Sequence, residues 1–344
     1  HVLDPMKREG IPHTSRQHYL REQLIPYQIF TILRMMRFSA EELKLESRVM
    51  EKDIIKLSYR FIRQCVKQNP ANGFYLAPSI NFLQSQLSLS GIGGINISQT
   101  LTELLSNNYS LLNSLSRSDI APFVDLLFDN PRNSDNVAFL CTFACTNDRA
   151  VVKNQDFIRE LLFVDEQKMK DKLLIPYLQG DTVMITIDEE VLPLTSFINY
   201  ALADGSRAKY GKDLLQYVEN TIELFSRLCM GRNTASIDLI ANIIDIKVVQ
   251  MCLENPEVTP TLKSSFCKLL LHCFINRPPY EQRPLIKLTR YLYKEGTVDT
   301  KGKESHIEYF ANIKDFIFKF LYGNRKLDKL NFELNTFILN ILKV

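Results

Sequence analysis

Six side chains near the start of the chain carry the most chemistry. Lys7, Arg8, His13, Arg16, His18 and Arg21 fall within fifteen residues. On a helix, positions 14, 18 and 21 recur at i, i+4 and i+7, so Thr14, His18 and Arg21 share one face. Such a face grips an anion, and a solvated basic edge has the same composition.

Thiols and carboxylates offer less. Cys267, His272 and Cys273 come nearest to a metal cluster, but on a helix Cys267 and Cys273 point to different faces, and no second ligand pair stands at zinc spacing. Cys141 and Cys145 share a face at i, i+4, without a neighbouring His or Cys to complete a site. Cysteine is among the most buried residue types, so all four read as core thiols. A catalytic dyad of His272 with one of them needs a juxtaposition that nothing in the sequence supplies. Asp188-Glu189-Glu190 presents oxygens suited to Ca²⁺ without ordered ligand spacing, and reads as a solvated loop. Gly91-Ile92-Gly93-Gly94 lacks the spacing of a dinucleotide fingerprint, and no P-loop, nucleophile elbow, H-E-x-x-H or EF-hand loop is present. The expectation is a protein with no metal, no cofactor and no enzymatic activity.

The elements that must hold these residues are helices. Glycine numbers only 12 of 344 residues, which disfavours the turn-rich all-β folds. Apolar residues recur at helical spacing: Ile55, Tyr59, Ile62 and Val66; Ile120, Phe123, Val124 and Leu127; Leu214, Val218, Ile222, Phe225 and Cys229. Phe266, Leu270, Cys273 and Phe274 continue the pattern, then Tyr309, Ile313, Phe316, Ile317 and Phe320, and last Leu327, Leu330, Leu334, Phe337, Ile338 and Ile341. Asn69-Pro70-Ala71-Asn72-Gly73, Ser90 to Gly94, Asp129-Asn130-Pro131, Asn255-Pro256 and Asn276 to Pro279 break them. Consecutive helices joined by such breaks form hairpins that bury their apolar faces by stacking, although no fixed-period repeat accompanies them. One β-branched run, residues 182–187, reads as a strand or extended connector, and residues 295–305 read as a polar surface loop. The fold expected is all-α: an armadillo-like solenoid with an N-terminal helical half over 1–165, an irregular connector over 166–212 and a C-terminal helical half over 213–344.

Composition narrows the setting. A formal charge of +3 disfavours nucleic acid as a partner. No signal peptide is evident, and the longest nearly uninterrupted apolar run, Val137 to Cys145, is half of what a bilayer span needs. The seven cysteines, odd in number and six of them set in apolar helical patterns, suggest a reducing compartment. There the glycosylation-like sequences at Asn96 and Asn108 are expected bare. A start at His1 and an end inside an apolar-periodic run lead us to expect a piece of a longer protein.

Several stretches together resemble the inositol trisphosphate receptor family, through the helical RIH domain it shares with ryanodine receptors. Arg16-Gln17-His18-Tyr19-Leu20-Arg21-Glu22-Gln23, followed by Gln28-Ile29-Phe30 and Leu33, is similar to the family's R-Q-K-x-x-R-E-Q…Q-I-F-x-x-L. Tyr59-Arg60-Phe61-Ile62-Arg63 resembles Y-R-V-L-R, and the stretch from Leu101 to Leu112 resembles T-A-L-L-H-N-N-R-K-L-L. Residues 220–229 resemble Q-L-N-L-F-A-R-M-C. Ser265 to His272, leading into Arg277-Pro278, resembles S-F-C-R-L-M-L-H…D-R-D-P. The motifs run in order over nearly the whole chain.

The resemblance implies the α-helical half of a ligand-binding core with the solenoid behind it. The family binds inositol phosphates through an R-x-x-x-K-x-x-R pattern, where this chain has Thr14, His18 and Arg21, and a Y-R-K triplet, where it has Asn69, Pro70 and Ala71. Only Arg21 matches, and an imidazole at 18 is not a fixed cation as lysine is. Losing three cations should cost on the order of 5–9 kcal/mol of ligand affinity at roughly 1.5–3 kcal/mol for each charged hydrogen bond. Arg16, Arg63 and Lys67 stand near enough in sequence to compensate in part, so a degenerate site of Arg21, His18, Arg16 and Lys67 is expected. The implied function is a cytosolic segment of a tetrameric calcium-release channel of the endoplasmic reticulum, coupling ligand or regulatory domains to a pore. Its implied partners are other domains of its own chain, neighbouring subunits and a weakly held inositol phosphate or other anion; this segment itself touches no membrane. The rival expectation is a free-standing helical scaffold for other proteins.

Overall fold

A computed structural model describes residues 12–130, 132–164, 169, 172–203, 208–277, 304–324, 327 and 331–344. Lys7, Arg8, Pro131, Pro278, Pro279, Leu330 and residues 295–303 of the expected surface loop lie outside these residues, while the last two positions of that loop, Glu304 and Ser305, begin a helix instead. The fold class is all-α and armadillo-like, as expected from the apolar stripes. The chain divides into two compact units, one of residues 1–123 with 146–154 and one of residues 124–145 with 155–344.

In the first unit, helices α1 (Thr14–Glu22), α2 (Ile25–Met35), α3 (Ala40–Lys44) and α4 (Val49–Val66) are followed by α5 (Pro70–Leu76), α6 (Ile80–Ser85), α7 (Ile97–Leu105) and α8 (Tyr109–Ser114). The unit boundary falls within α9 (Arg117–Asp129). Helix α4 is the axis, packing against α1, α2, α5 and α7. It buries Ile55, Tyr59, Ile62 and Val66, the stripe read from the sequence. Gly73 in α5 permits a close approach: a Cβ there would stand 2.9 Å from Asn108 Nδ2 and 3.1 Å from the Leu104 carbonyl.

The second unit holds α10 (Ser134–Ala144), and α11 (Val152–Leu162) enters it after its first turn. Next come α12 (Leu194–Leu202), α13 (Ala208–Cys229), α14 (Thr234–Ile243), α15 (Ile246–Glu254) and α16 (Pro260–Leu269), then α17 (Glu304–Gly323) and α18 (Phe332–Ile341). The long α13 packs against α10, α12 and α16, and α16 in turn against α18. Along α13, Leu214, Val218, Ile222, Phe225 and Cys229 are all buried. Its polar side carries a half-buried charge group: Glu223 accepts from Arg227 Nε at 2.7 Å and from Lys268 Nζ at 3.0 Å. Burial alone would raise the Glu223 carboxyl, but Arg227 and Lys268 outweigh it and hold it below the usual range.

Several sequence expectations change. Besides the strand at 182–187, two flanking strands complete an antiparallel sheet of β3 (Tyr177–Gln179), β4 (Thr182–Ile187) and β5 (Glu190–Pro193), with Tyr177 opposite Met184 and Ile187 opposite Glu190. A two-residue ribbon, β1 (Cys145–Thr146) with β2 (Arg149–Ala150), also interrupts the helices. Two of the three short hairpins turn on pairs with positive φ, Asn147-Asp148 and Asp188-Glu189, the conformation that matches strand twist in a two-residue loop. The break read at Asn69 to Gly73 is a tight one: α4 ends at Val66 and α5 starts at Pro70, which takes the first helical position, where its missing N–H costs nothing. Residues 270–275 form a π-helical turn whose wider hydrogen bonding shifts the side-chain phase. Phe266, Leu270 and Cys273 are buried there, but Phe274 is only half-buried.

Two measurements follow. Phe266→Ala removes a fully buried ring and should destabilise the chain by roughly 3–5 kcal/mol in chemical denaturation, with a smaller loss for Phe274→Ala. Because the folded-state pKa of Glu223 is depressed, its contribution is present at neutral pH and lost as pH falls through that lowered value. Glu223→Gln should therefore flatten the acid side of the stability–pH profile, and an unchanged profile would refute this role.

Candidate functional site

The candidate ligand residues meet where α1 lies against the corner between α4 and α5. Gln17, facing inward from α1, is buried and spans three chain segments. Its Nε2 donates to the Gln64 carbonyl at 2.8 Å and to the Lys67 carbonyl at 2.9 Å, covering the frayed end of α4. Its Oε1 accepts from Asn69 Nδ2 at 3.0 Å, and its own carbonyl accepts from Asn72 Nδ2 at 3.2 Å. Asn72 Nδ2 also reaches the Cys65 carbonyl at 2.9 Å. Asn69 Oδ1 meanwhile accepts from the Asn72 N–H at 3.1 Å and so caps α5. Gln68, with φ of 55°, makes the left-handed turn that separates the two helices.

Residues about fifty apart in sequence are thereby brought together. Thr14, His18 and Arg21 lie along α1, and Lys67 to Ala71 stand beside it through the Gln17 bonds. Arg21 turns along its own helix: its Nη2 donates to His18 Nδ1 at 2.8 Å and lies 3.3 Å from Glu22 Oε1. Arg16, two residues from both Thr14 and His18, points to the opposite side of α1 and is exposed, so it does not join them. Lys67 closes α4 as its C-terminal cap residue and is half-buried. Arg63 is buried, with Nη1 donating to Gln99 Oε1. This corrects its place among the compensating cations, because a guanidinium packed inside the helix layer is not presented to a ligand. Pro70 and Ala71 are exposed in the first turn of α5 and carry no charge.

The thiols occupy the core. All seven cysteines are free and buried. Burial pushes Cys65 up to about 11 and Cys141 and Cys267 up to about 12, so at neutral pH they pack as protonated thiols. Cys229 is raised well above its ordinary value, first by burial and then by a hydrogen bond with Cys273, a pairing between α13 and the π-helical turn that sequence spacing does not disclose. Among the described residues no group of three or more His, Cys, Asp or Glu is arranged to hold a metal ion, and no helix is long and apolar enough to cross a membrane.

The residue that the sequence reading missed is Gln17. Its signal is weak, a lone amide flanked by charge and facing the apolar side of α1. Gln17→Ala strands the Gln64 and Lys67 carbonyls and half of the Asn69 amide, and should cost about 2–3 kcal/mol of stability. Urea denaturation checks this, and Arg16→Ala, on the exposed side, should leave the midpoint in place.

The family model described as the RIH domain matches residues 3–176, about half of the chain. The chain is 21% identical over 285 residues to inositol 1,4,5-trisphosphate receptor-like protein A of Dictyostelium discoideum, a match covering 83% of this chain and 8% of that protein. It is 23% identical over 302 residues to inositol 1,4,5-trisphosphate receptor itr-1 of Caenorhabditis elegans, covering 80% of this chain and 10% of that protein. The chain thus spans no more than a tenth of the length of these relatives. By its helical motifs, its fold and the match over residues 3–176, the chain belongs to the RIH domain family.

Proposed function

We propose that this chain is the cytosolic helical segment of an intracellular calcium-release channel of the endoplasmic reticulum type, working without catalysing a reaction. In this reading it couples ligand or regulatory domains of its own chain to a pore and meets neighbouring subunits of a tetramer. Support comes from family membership and from relatives named as inositol 1,4,5-trisphosphate receptors. Short helices packed edge to edge suit the task, since a displacement at one end passes on as a rigid-body shift.

The observation that carries the proposal is the corner of α1, α4 and α5. Gln17 still ties its three segments together there, yet the positions that the family resemblance gives to phosphate contacts hold Thr14, Pro70 and Ala71. Asn69 is spent on capping α5 and on Gln17, and Arg21 on His18 and Glu22. The scaffold of a ligand core is kept with its cations reduced, which favours a coupling role over tight inositol phosphate capture.

Titration calorimetry of inositol trisphosphate into the full-length parent protein, at neutral pH and low salt, tests this. The expected affinity is weaker than micromolar, and sub-micromolar binding would sink the loss of the ligand. Thr14→Arg, His18→Lys, Pro70→Arg and Ala71→Lys together should raise affinity, since each adds a charge-assisted bond. Reading the parent gene to its end separates channel from scaffold: hydrophobic spans of about 20 residues are expected, and their absence would leave the scaffold reading.

A further inference from the structure

Where α2 gives way to α3, an open groove of about 700 Å³ is lined by Leu33, Met36, Phe38 and Phe82, with Arg34 and Arg37 among them. Arg34 is held ready before any ligand arrives. Its guanidinium lies 5.2 Å from the centre of the Phe82 ring and 5.9 Å from that of Phe30, two rings that meet edge to face at 6.1 Å. Its Nη2 also donates to Ser79 Oγ at 3.3 Å. Stacking on aromatic faces fixes the plane of a guanidinium and leaves its edge free for a bidentate partner.

The charge of this groove is not balanced from within. Nearby, Lys44 pairs with Glu41 at 2.7 Å and Arg48 with Glu51 at 2.7 Å. Among the described residues neither Arg34 nor Arg37 reaches a carboxylate. Glu42, the acid lining the groove, is engaged elsewhere: its Oε2 accepts from the Ser39 N–H at 2.7 Å while Ser39 Oγ accepts from the Glu42 N–H at 3.2 Å, a capping box that starts α3. Two guanidinium groups without carboxylate partners thus stand over apolar walls, where the lowered local dielectric strengthens an ion pair.

We propose that this groove binds an acidic peptide segment in which a carboxylate side chain stands beside a large apolar one. The apolar side chain fills the cleft between Phe38 and Phe82, and the carboxylate takes Arg34 and Arg37. A phosphate-rich ligand fits less well, because it would leave the apolar walls unused and gain only two cations. This surface lies apart from the corner of α1, α4 and α5, and the proposal does not depend on a channel role.

The test is fluorescence anisotropy with a short labelled peptide alternating Glu with Leu and Phe, added to the whole chain. Arg37 is exposed and, among the described residues, its side chain makes no hydrogen bond or ion pair, so Arg37→Glu should keep the circular dichroism spectrum and weaken binding about tenfold or more. Arg34→Gln with Arg37→Glu should weaken it further, and Arg16→Glu, on the exposed side of α1, should not. Replacing Leu and Phe in the peptide by Ser should also abolish binding. Equal binding by the Arg37→Glu chain, or undiminished binding of the Ser peptide, overturns the proposal. So does displacement of the peptide by inorganic phosphate, or Arg37-dependent capture of phosphatidylserine vesicles without peptide binding; these would assign the groove to a phosphate or a membrane instead.

Discussion

A fold made of short helices has a cost that every turn repeats: the last carbonyls and first amides of each helix lose their partners, and here many of those ends are buried. Carboxamide side chains supply what is missing. Gln17 covers the end of α4, Asn154 reaches the Leu112 carbonyl at 2.8 Å, and Gln155 donates to the Arg227 and Met230 carbonyls at 2.7 and 3.0 Å. Asn136 does the same for the Leu126 carbonyl at 3.1 Å. At the other ends, Asn69, Asn108, Asn133, Asn233 and Asn331 each accept a backbone N–H. An amide can give and take hydrogen bonds at once without bringing charge into the core, which neither a carboxylate nor an ammonium does.

Where charge is drawn in from solvent, it is gathered. Glu223 holds Arg227 and Lys268 on one side of α13, and Arg227 Nη1 also donates to the Cys141 carbonyl at 3.1 Å, tying α13 to α10. Glu219, one turn earlier, is raised by burial and accepts from the Thr259 and Thr261 hydroxyls at the start of α16. Such groups fix which helix faces meet. A guanidinium or carboxylate left unpaired in either place would cost more than a lost apolar contact.

How much of this was legible in the sequence depends on the range of the interaction. The stripes through Ile55 and Val66, or Leu214 and Cys229, are local in period, and they fell where expected. The strand over 182–187 showed itself through its β-branched residues, while its partners over 177–179 and 190–193 were too short and too mixed to stand out. Pro70 signals both the end of one helix and the start of the next, and spacing alone did not choose. Phe274 was misjudged because the π-helical turn inserts a phase shift that no pattern of apolar residues marks. In the candidate site, Arg21 and His18 were placed on one face correctly, but Arg16 and Arg63 were not separable from them without knowing what lies across α1 and α4. Gln17 was invisible for the same reason: its partners lie 47 to 55 residues away.

Asn72 precedes Gly73, the dipeptide whose side chain cyclises most readily onto the following backbone nitrogen and loses its amide to water. In the folded chain that nitrogen is bonded to the Asn69 carbonyl at 3.1 Å within α5, so the ring cannot close. An unfolded copy has no such protection. Once converted to aspartate or its isomer, position 72 can no longer donate to the Gln17 and Cys65 carbonyls and would turn a negative charge toward both. A molecule that lingers before folding is therefore chemically dated, its age written as an acidic shift in isoelectric position and carried into every later attempt to close the corner.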